Sequence, residues 1–215
     1  MFVAPRVQRH WLAAVAAVAW ASVALQFYSS LSRDFAFVSL LARIIDVLSY
    51  FTITTNILVA VVATIGAQQG SDGKPLASQG AVAATAVYIF VVGVTYALLL
   101  KGSAKLVGWP AVWADFGLHE VTPVIYVAYW LLFAPKAKLR WSQPAAWLIY
   151  PAVYILYTLF RGTLIHRYPY FFANVDSLGW PRAILNAVLF LAVFWLLGIG
   201  AVALGRIGRR RDGDA

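Results

Sequence analysis

Two short segments of this chain place a hydroxyl group and an imidazole in otherwise apolar sequence. The first segment carries Thr52, Thr55 and Asn56, and the second carries Asp115 and His119. On a helix, residues four apart lie on one face, which aligns Thr52 with Asn56 and Asp115 with His119. A threonine hydroxyl becomes a nucleophile when neutral imidazole removes its proton, and a carboxylate on the second ring nitrogen fixes the tautomer. Asn56 or Thr55 would then donate to the oxyanion of an acyl-transfer reaction.

Membrane helices are the elements that would position these groups. The chain has 215 residues, of which 62% are hydrophobic and 12% charged, against about 45–50% and about 25% in soluble domains. One soluble core of this length cannot bury so much apolar surface, so the excess faces lipid. We predict an all-α, polytopic membrane protein with a bundle of six transmembrane helices, each long enough for a core about 30 Å thick. The predicted spans are 11–30, 45–67, 80–100, 113–134, 145–160 and 183–204.

The basic residues predict the orientation of these spans. Ten of the 17 lysines and arginines lie in the N-terminal segment, the second loop with its polar linker at 68–75, the fourth loop and the C-terminal segment. The positive-inside rule therefore predicts that residues 1–10 and a basic tail at 205–215 are cytoplasmic, flanking a transmembrane domain at 11–204 in the plasma (inner) membrane. The net charge of +9 comes from these loops and tails, so we expect no nucleic acid partner.

A common depth in the membrane is the main reason to pair Thr52 with His119. The second and fourth spans run in parallel. At a rise of 1.5 Å per residue, Thr52 would lie roughly 10 Å past Ile45, and His119 roughly 9 Å past Trp113. The two side chains would then meet at one level, near the glycerol or upper acyl region of a lipid.

Structural explanations compete with each of these assignments. A threonine in a membrane helix often bonds its own i−4 carbonyl, and an intramembrane histidine can pack against a neighbouring carbonyl. Asp115 would cap its helix at the interface, and Pro123 would kink it. With no cysteine and three histidines far apart in sequence, we expect no metal site and no cofactor.

Four short motifs carry a resemblance to a known family. They are Ser49-Tyr50-Phe51-Thr52 with Asn56; Leu118-His119 with Pro123; Tyr150-Pro151 with Tyr154, Tyr157, Arg161 and Gly162; and Tyr168-Pro169-Tyr170-Phe171. Their order and spacing over 40–204 resemble the androgen-induced / androgen-dependent TFPI-regulating membrane protein family, in particular its bacterial six-span relatives. The resemblance implies an intramembrane threonine hydrolase of fatty acid esters of hydroxy fatty acids, with Thr52 as nucleophile and His119 as base. Thr52 is preferred to Thr54 or Thr55 on the resemblance alone, and Tyr129 departs from an acidic residue expected in many bacterial relatives.

The segment after the fifth span carries further candidates. Arg161 and Tyr168 are either interfacial anchors or substrate-binding groups, with Arg161 or His166 binding a carboxylate or phosphate and Tyr168 shaping a lid. We therefore predict a lipid-ester hydrolase whose partner is a membrane lipid or fatty-acyl ester. The alternatives are a non-catalytic lipid-binding or regulatory membrane protein, and a small transporter, although no span carries the paired acids of a proton relay.

Overall fold

A computed structural model describes residues 5–32, 39–68, 77–103 and 106–213, and within these ranges the chain forms helices and no strand. The predicted linker at 68–75 falls outside the described residues from residue 69 onward. The α-helices are α1 (Pro5–Leu31), α2 (Leu40–Leu48), α3 (Phe51–Ala67), α4 (Gln79–Thr95), α5 (Gly108–Phe116), α6 (Thr122–Leu132), α7 (Gln143–Trp147), α8 (Ile149–Ile165) and α9 (Val175–Gly213). Two π-helical segments, Tyr96–Leu100 and Gly117–Val121, continue α4 and join α5 to α6.

The all-helical architecture is confirmed, and several helices are long and apolar enough to cross a membrane. Four qualify by length and composition in the described part of the chain, at Arg6–Leu31, Gln79–Leu100, Gln143–Ile165 and Val175–Arg206. The bent pair of α2 and α3 makes a fifth if it counts as one span. The continuous helix formed by α5, its π segment and α6 is not among them, because Asp115, His119 and Glu120 lower its hydropathy.

The predicted span at 45–67 is wrong in one respect, since the chain breaks there. Helices α2 and α3 meet at an angle of 78°. The Ser49 hydroxyl donates to the Ile45 carbonyl at 2.6 Å, and Tyr50 is extended, with φ −88° and ψ 128°. Thr52 therefore lies in the first turn of α3, and its depth cannot be counted as a helical rise from Ile45.

The last span also differs from its prediction. Helix α9 begins at Val175 and extends to Gly213, so most of the segment predicted as a basic tail is helical. Gly179 interrupts it with φ 72° and ψ 160°, a conformation that glycine adopts without the strain a side chain would bring. Pro181 follows this kink, in the first turn of the part of α9 beyond Gly179. Proline is tolerated there because the first N–H groups of a helix have no partner within it.

The chain divides into two compact units, Met1–Pro135 and Lys136–Ala215. In the first unit, α1 packs against α3, α5 and α6, and α4 packs against α3 and α6. In the second unit, α7 and α8 both pack against α9. The boundary lies in the short basic loop before α7, which the sequence indicates only as a connector, so this division was not predicted.

Candidate functional site

The π-helical turn at Gly117–Val121 shapes the centre of the first unit. The Thr122 N–H donates to the Gly117 carbonyl, five residues back rather than four. Pro123 has no N–H, so the Leu118 carbonyl lacks the backbone donor that this register would otherwise supply. Insertions of this kind are rare in helices and are often found at functional sites. The turn therefore leaves one strong acceptor facing the neighbouring helices.

Asn56 on α3 satisfies that acceptor. Its Nδ2 donates to the Leu118 carbonyl at 3.1 Å and to the Thr52 carbonyl at 2.9 Å, and the residue is fully buried. An asparagine amide has two N–H groups, and both are used here. The oxyanion role that the sequence suggested for Asn56 does not fit this geometry. Its position instead ties α3 to the π turn beside His119.

Asp115 holds one ring nitrogen of His119. The distance from His119 Nδ1 to the Asp115 carboxylate is 3.1 Å, and that to the Asp115 backbone carbonyl is 3.0 Å. Each side chain is only 15% exposed. Two acceptors around Nδ1 favour the tautomer in which Nδ1 carries the proton, and the lone pair then lies on Nε2. The structure thus contains the contact that the i, i+4 spacing predicted.

Tyr96 joins Asp115 and His119 in a cluster of three side chains. Its position in the sequence did not indicate this contact. Its ring stacks on the His119 ring with centroids 4.2 Å apart and an interplanar angle of 13°. Its hydroxyl donates to the second Asp115 carboxylate oxygen at 2.5 Å. A tyrosine near the end of an apolar span is typical of an interfacial aromatic. Nothing in its spacing from Asp115 pointed to the contact.

Two glycines allow the close approach of helices around the cluster. A Cβ on Gly93 would lie 3.0 Å from the Pro123 side chain and 3.5 Å from the His119 carbonyl. A Cβ on Gly117 would overlap the Ser22 hydroxyl of α1. Small residues at such crossings are typical of membrane helix packing. The π turn is therefore enclosed by α1, α3 and α4.

Thr52 and Thr55 are both buried on α3, with 7% and 0% of their surface exposed. The contact between Asn56 and Leu118 brings this part of α3 against the π turn that carries His119. Glu120, next to His119, lies outside the cluster and pairs with Lys101 at 3.0 Å on an exposed surface. The pairing of the Thr52 hydroxyl with the His119 ring remains a prediction.

Arg161 and Tyr168 belong to the second unit. The Tyr168 ring packs directly on Gly162, where an added Cβ would overlap the ring. Asp176 accepts from the Tyr168 hydroxyl at 3.4 Å and contacts His166 Nδ1 at 2.9 Å. Burial, together with the Asp176 carboxylate, raises the pKa of Tyr168 above its ordinary value. The predicted role of both residues in the Thr52 and His119 site stays a prediction.

Over the described ranges, no group of three or more histidines, cysteines or acidic residues could hold a metal ion. No family model, no curated protein and no solved structure matches this chain.

Proposed function

We propose that this chain is an integral membrane hydrolase of lipid esters, with His119 as general base and Thr52 as nucleophile. The observation that carries the proposal is the pair of acceptors, one carboxylate and one carbonyl, on Nδ1 of His119. An imidazole oriented in this way offers Nε2 as a base. The same division of roles between carboxylate, imidazole and hydroxyl operates in hydrolytic triads on unrelated folds.

The reaction proceeds in two steps. The Thr52 hydroxyl attacks the ester carbonyl while Nε2 of His119 takes its proton, and the alcohol leaves with that proton. Water then attacks the acyl-threonine with the same base and releases the fatty acid. Asp115 stabilises the imidazolium in both steps, and the Tyr96 hydroxyl holds the carboxylate in place.

In this proposal, the N-terminus of α3 stabilises the negative charge that develops on the oxyanion. Thr52 is the second residue of α3, and the Tyr50 side chain does not cap the helix. A helix N-terminus carries partial positive charge, which favours an anion nearby. This end of α3 takes over the oxyanion role that the saturated Asn56 amide cannot perform.

The proposal includes six membrane crossings with both termini in the cytoplasm. From Gly108 to Leu132 the chain is continuously helical, about 37 Å long at 1.5 Å per residue, enough for a core of about 30 Å. Its hydropathy is lowered by Asp115 and His119, which belong to the site, and by Glu120 beside them. The four motifs that resemble the androgen-induced / androgen-dependent TFPI-regulating family support the same architecture and reaction.

Turnover by purified protein tests the assignment. A fatty acid ester of a hydroxy fatty acid and a generic acyl ester are offered to the protein in detergent. We expect Thr52→Ala and His119→Asn to lose activity, while Thr54→Ala and His10→Asn keep it, because the Thr54 hydroxyl bonds the Phe51 carbonyl of its own helix and His10 is exposed on α1. Full activity in Thr52→Ala contradicts the nucleophile assignment, and the acyl adduct on Thr52, trapped in wild type and found by mass spectrometry, supports it.

A non-catalytic lipid-binding or regulatory protein is the second candidate. The two hydrogen bonds of the Asn56 amide favour it, because they remove one donor that acyl transfer would use. This candidate predicts that lipid co-purifies with the wild-type protein and that the protein hydrolyses no ester. The His119→Asn variant should then retain less bound lipid than wild type, and neither protein should show ester turnover.

A further inference from the structure

The loop before α7 packs on the end of α9 and exposes basic side chains beside it. A turn shapes the start of the loop, in which the Leu139 N–H donates to the Lys136 carbonyl at 3.2 Å. The loop lies directly on α9, since a Cβ on Gly205 would be 3.0 Å from the Lys136 Cβ and 3.2 Å from the Leu139 side chain. Leu139 is buried in this contact, whereas Lys138 and Arg140 on either side of it are exposed.

Arg206 and Trp141 form a second contact between α9 and the loop. The Arg206 guanidinium lies over the Trp141 ring, 5.1 Å from its centroid, in a cation–π contact. The ring covers one face of the guanidinium plane and leaves the N–H groups at its edge for a further acceptor. Both side chains are exposed. We name the following residues the basic patch: Lys136, Lys138, Arg140, Trp141 and Arg206.

Acidic residues are scarce in the sequence of the second unit. Residues 121–175 and 177–211 contain no aspartate or glutamate. Asp176 lies at the other end of α9, roughly 40 Å from Arg206 along the helix axis. Burial lowers the pKa of Lys136, because its ammonium loses hydration. An anion bound beside the patch would restore part of the stabilisation that the ammonium loses by burial.

The patch also lies where two apolar helices end. One candidate span, Gln143–Ile165, begins two residues after Trp141, and another, Val175–Arg206, ends at Arg206. With both helices across the bilayer, the patch is at the level of the lipid headgroups, where tryptophan and basic side chains are common. Phospholipid phosphates are the most concentrated anions at this level. The position of the patch therefore favours a lipid over a soluble anion as its partner.

We propose that the basic patch binds the headgroup of an acidic phospholipid. The phosphate accepts hydrogen bonds from the edge of the Arg206 guanidinium and from the basic side chains of the loop. The acyl chains lie along the exposed apolar side chains of the two helices that end here. A zwitterionic lipid binds less well, because its own cation is repelled by the four basic side chains. This site does not rest on the proposed hydrolase function, since every residue in it belongs to the second unit.

Native mass spectrometry of the delipidated protein in detergent tests the proposal. Dioleoyl phosphatidylglycerol and dioleoyl phosphatidylcholine are titrated separately, and inorganic phosphate is added as a competitor. We expect wild type to bind phosphatidylglycerol more tightly. Arg140→Gln with Arg206→Gln should weaken that binding about tenfold or more, since each basic residue near an anionic headgroup contributes a factor of about five. The matched control is Lys101→Gln with Arg182→Gln, which removes the same charge at exposed positions outside the patch.

A change at Trp141 separates positioning of Arg206 from charge. Trp141→Leu keeps every basic residue but removes the ring under the guanidinium, so it should weaken phosphatidylglycerol binding about two- to fivefold. Melting temperatures of the lipid-free variants should match wild type, because the changed side chains are exposed. Three results would overturn the proposal: equal affinity of wild type for the two lipids, equal losses in the patch and control variants, or displacement of phosphatidylglycerol by a similar concentration of inorganic phosphate.

Discussion

Asp115 acts in the proposed reaction only through His119. Its carboxylate lies 3.1 Å from Nδ1 and also accepts from Tyr96. It therefore selects the ring tautomer and stabilises the imidazolium without touching the substrate. A change at Asp115 that preserves its shape should separate this role from the packing of the site.

Asp115→Asn is expected to lower kcat by about 10²-fold or more, because an amide can favour the wrong tautomer and cannot stabilise the imidazolium. KM and the melting temperature should change little, since size and shape are kept. Ester turnover measured in detergent checks this. Glu120→Gln is the matched control, because Glu120 carries a carboxylate in an exposed ion pair beside the cluster. Equal losses in the two variants would contradict a specific role for Asp115.

Asn56→Ala should destabilise the first unit by about 1–2 kcal/mol. It leaves the Leu118 carbonyl buried without a side-chain donor, where Pro123 already denies it a backbone one. Denaturant titration followed by circular dichroism measures the change. Gln26→Ala removes a side-chain hydrogen bond within α1 and should cost less than about 0.5 kcal/mol. A loss no larger in Asn56→Ala than in Gln26→Ala would show that the contact with α3 is not important for stability.

Individual residues differed in how well the sequence predicted them. The spacing of Asp115 and His119 was sufficient to predict their contact, because i, i+4 neighbours meet on any regular turn. Tyr96 was not predictable, since its contact depends on how α4 packs against a distant helix. The sequence indicated Asn56 as a polar residue of the candidate site. It did not indicate the Leu118 carbonyl as its hydrogen-bond partner, because only the π turn leaves that carbonyl without a backbone donor.

At the scale of elements, the π turn and its glycines determine how the helices approach. Gly117 is in contact with Ser22 of α1, and a side chain at that position would overlap the hydroxyl. Periodic hydrophobicity predicts where a helix lies but does not reveal one inserted residue within it. Hydropathy therefore predicted the helical stretches of the chain, but neither π segment nor the break before α3.

Gly117→Ala should destabilise the first unit by about 1–3 kcal/mol through overpacking against α1. Ser22→Gly should recover part of this loss, because it removes the two side-chain atoms, Oγ and Cβ, that the new Cβ would meet. A double-mutant cycle from thermal or denaturant unfolding gives the coupling. Gly200→Ala serves as the control, since a Cβ there meets nothing within 4 Å. Strict additivity of the first two changes would contradict the predicted contact.

For the whole molecule, the absence of cysteine allows a direct test of the number of crossings. Single cysteines at Lys101 and Arg167 should react with an impermeant maleimide added to intact cells. Cysteines at Arg9 and Lys138 should react only after the cells are opened. The physical reason is that the helix between Lys101 and Lys138 crosses the bilayer in the six-span topology. Labelling of positions 101 and 138 from the same side would contradict it.

Composition predicted the all-helical class because the apolar excess leaves few other folds for this chain. It did not predict two compact units, since the residues before α7 show none of the glycine- or serine-rich character of an interdomain linker. Hydropathy alone also does not determine the number of membrane crossings. The helix that contains Asp115 and His119 is made less apolar by these two residues, which the proposed reaction uses, and by Glu120.

The elbow of 78° between α2 and α3 has a consequence for how a substrate arrives. If α3 stands upright in the bilayer, α2 lies almost flat along its surface, and Thr52, in the first turn of α3, lies just past the bend. Long-chain apolar esters would then reach Thr52 by two-dimensional diffusion within one leaflet rather than from the aqueous phase. Turnover should accordingly follow the mole fraction of ester in the membrane and not its bulk concentration, and water-soluble short-chain esters should be poor competitors.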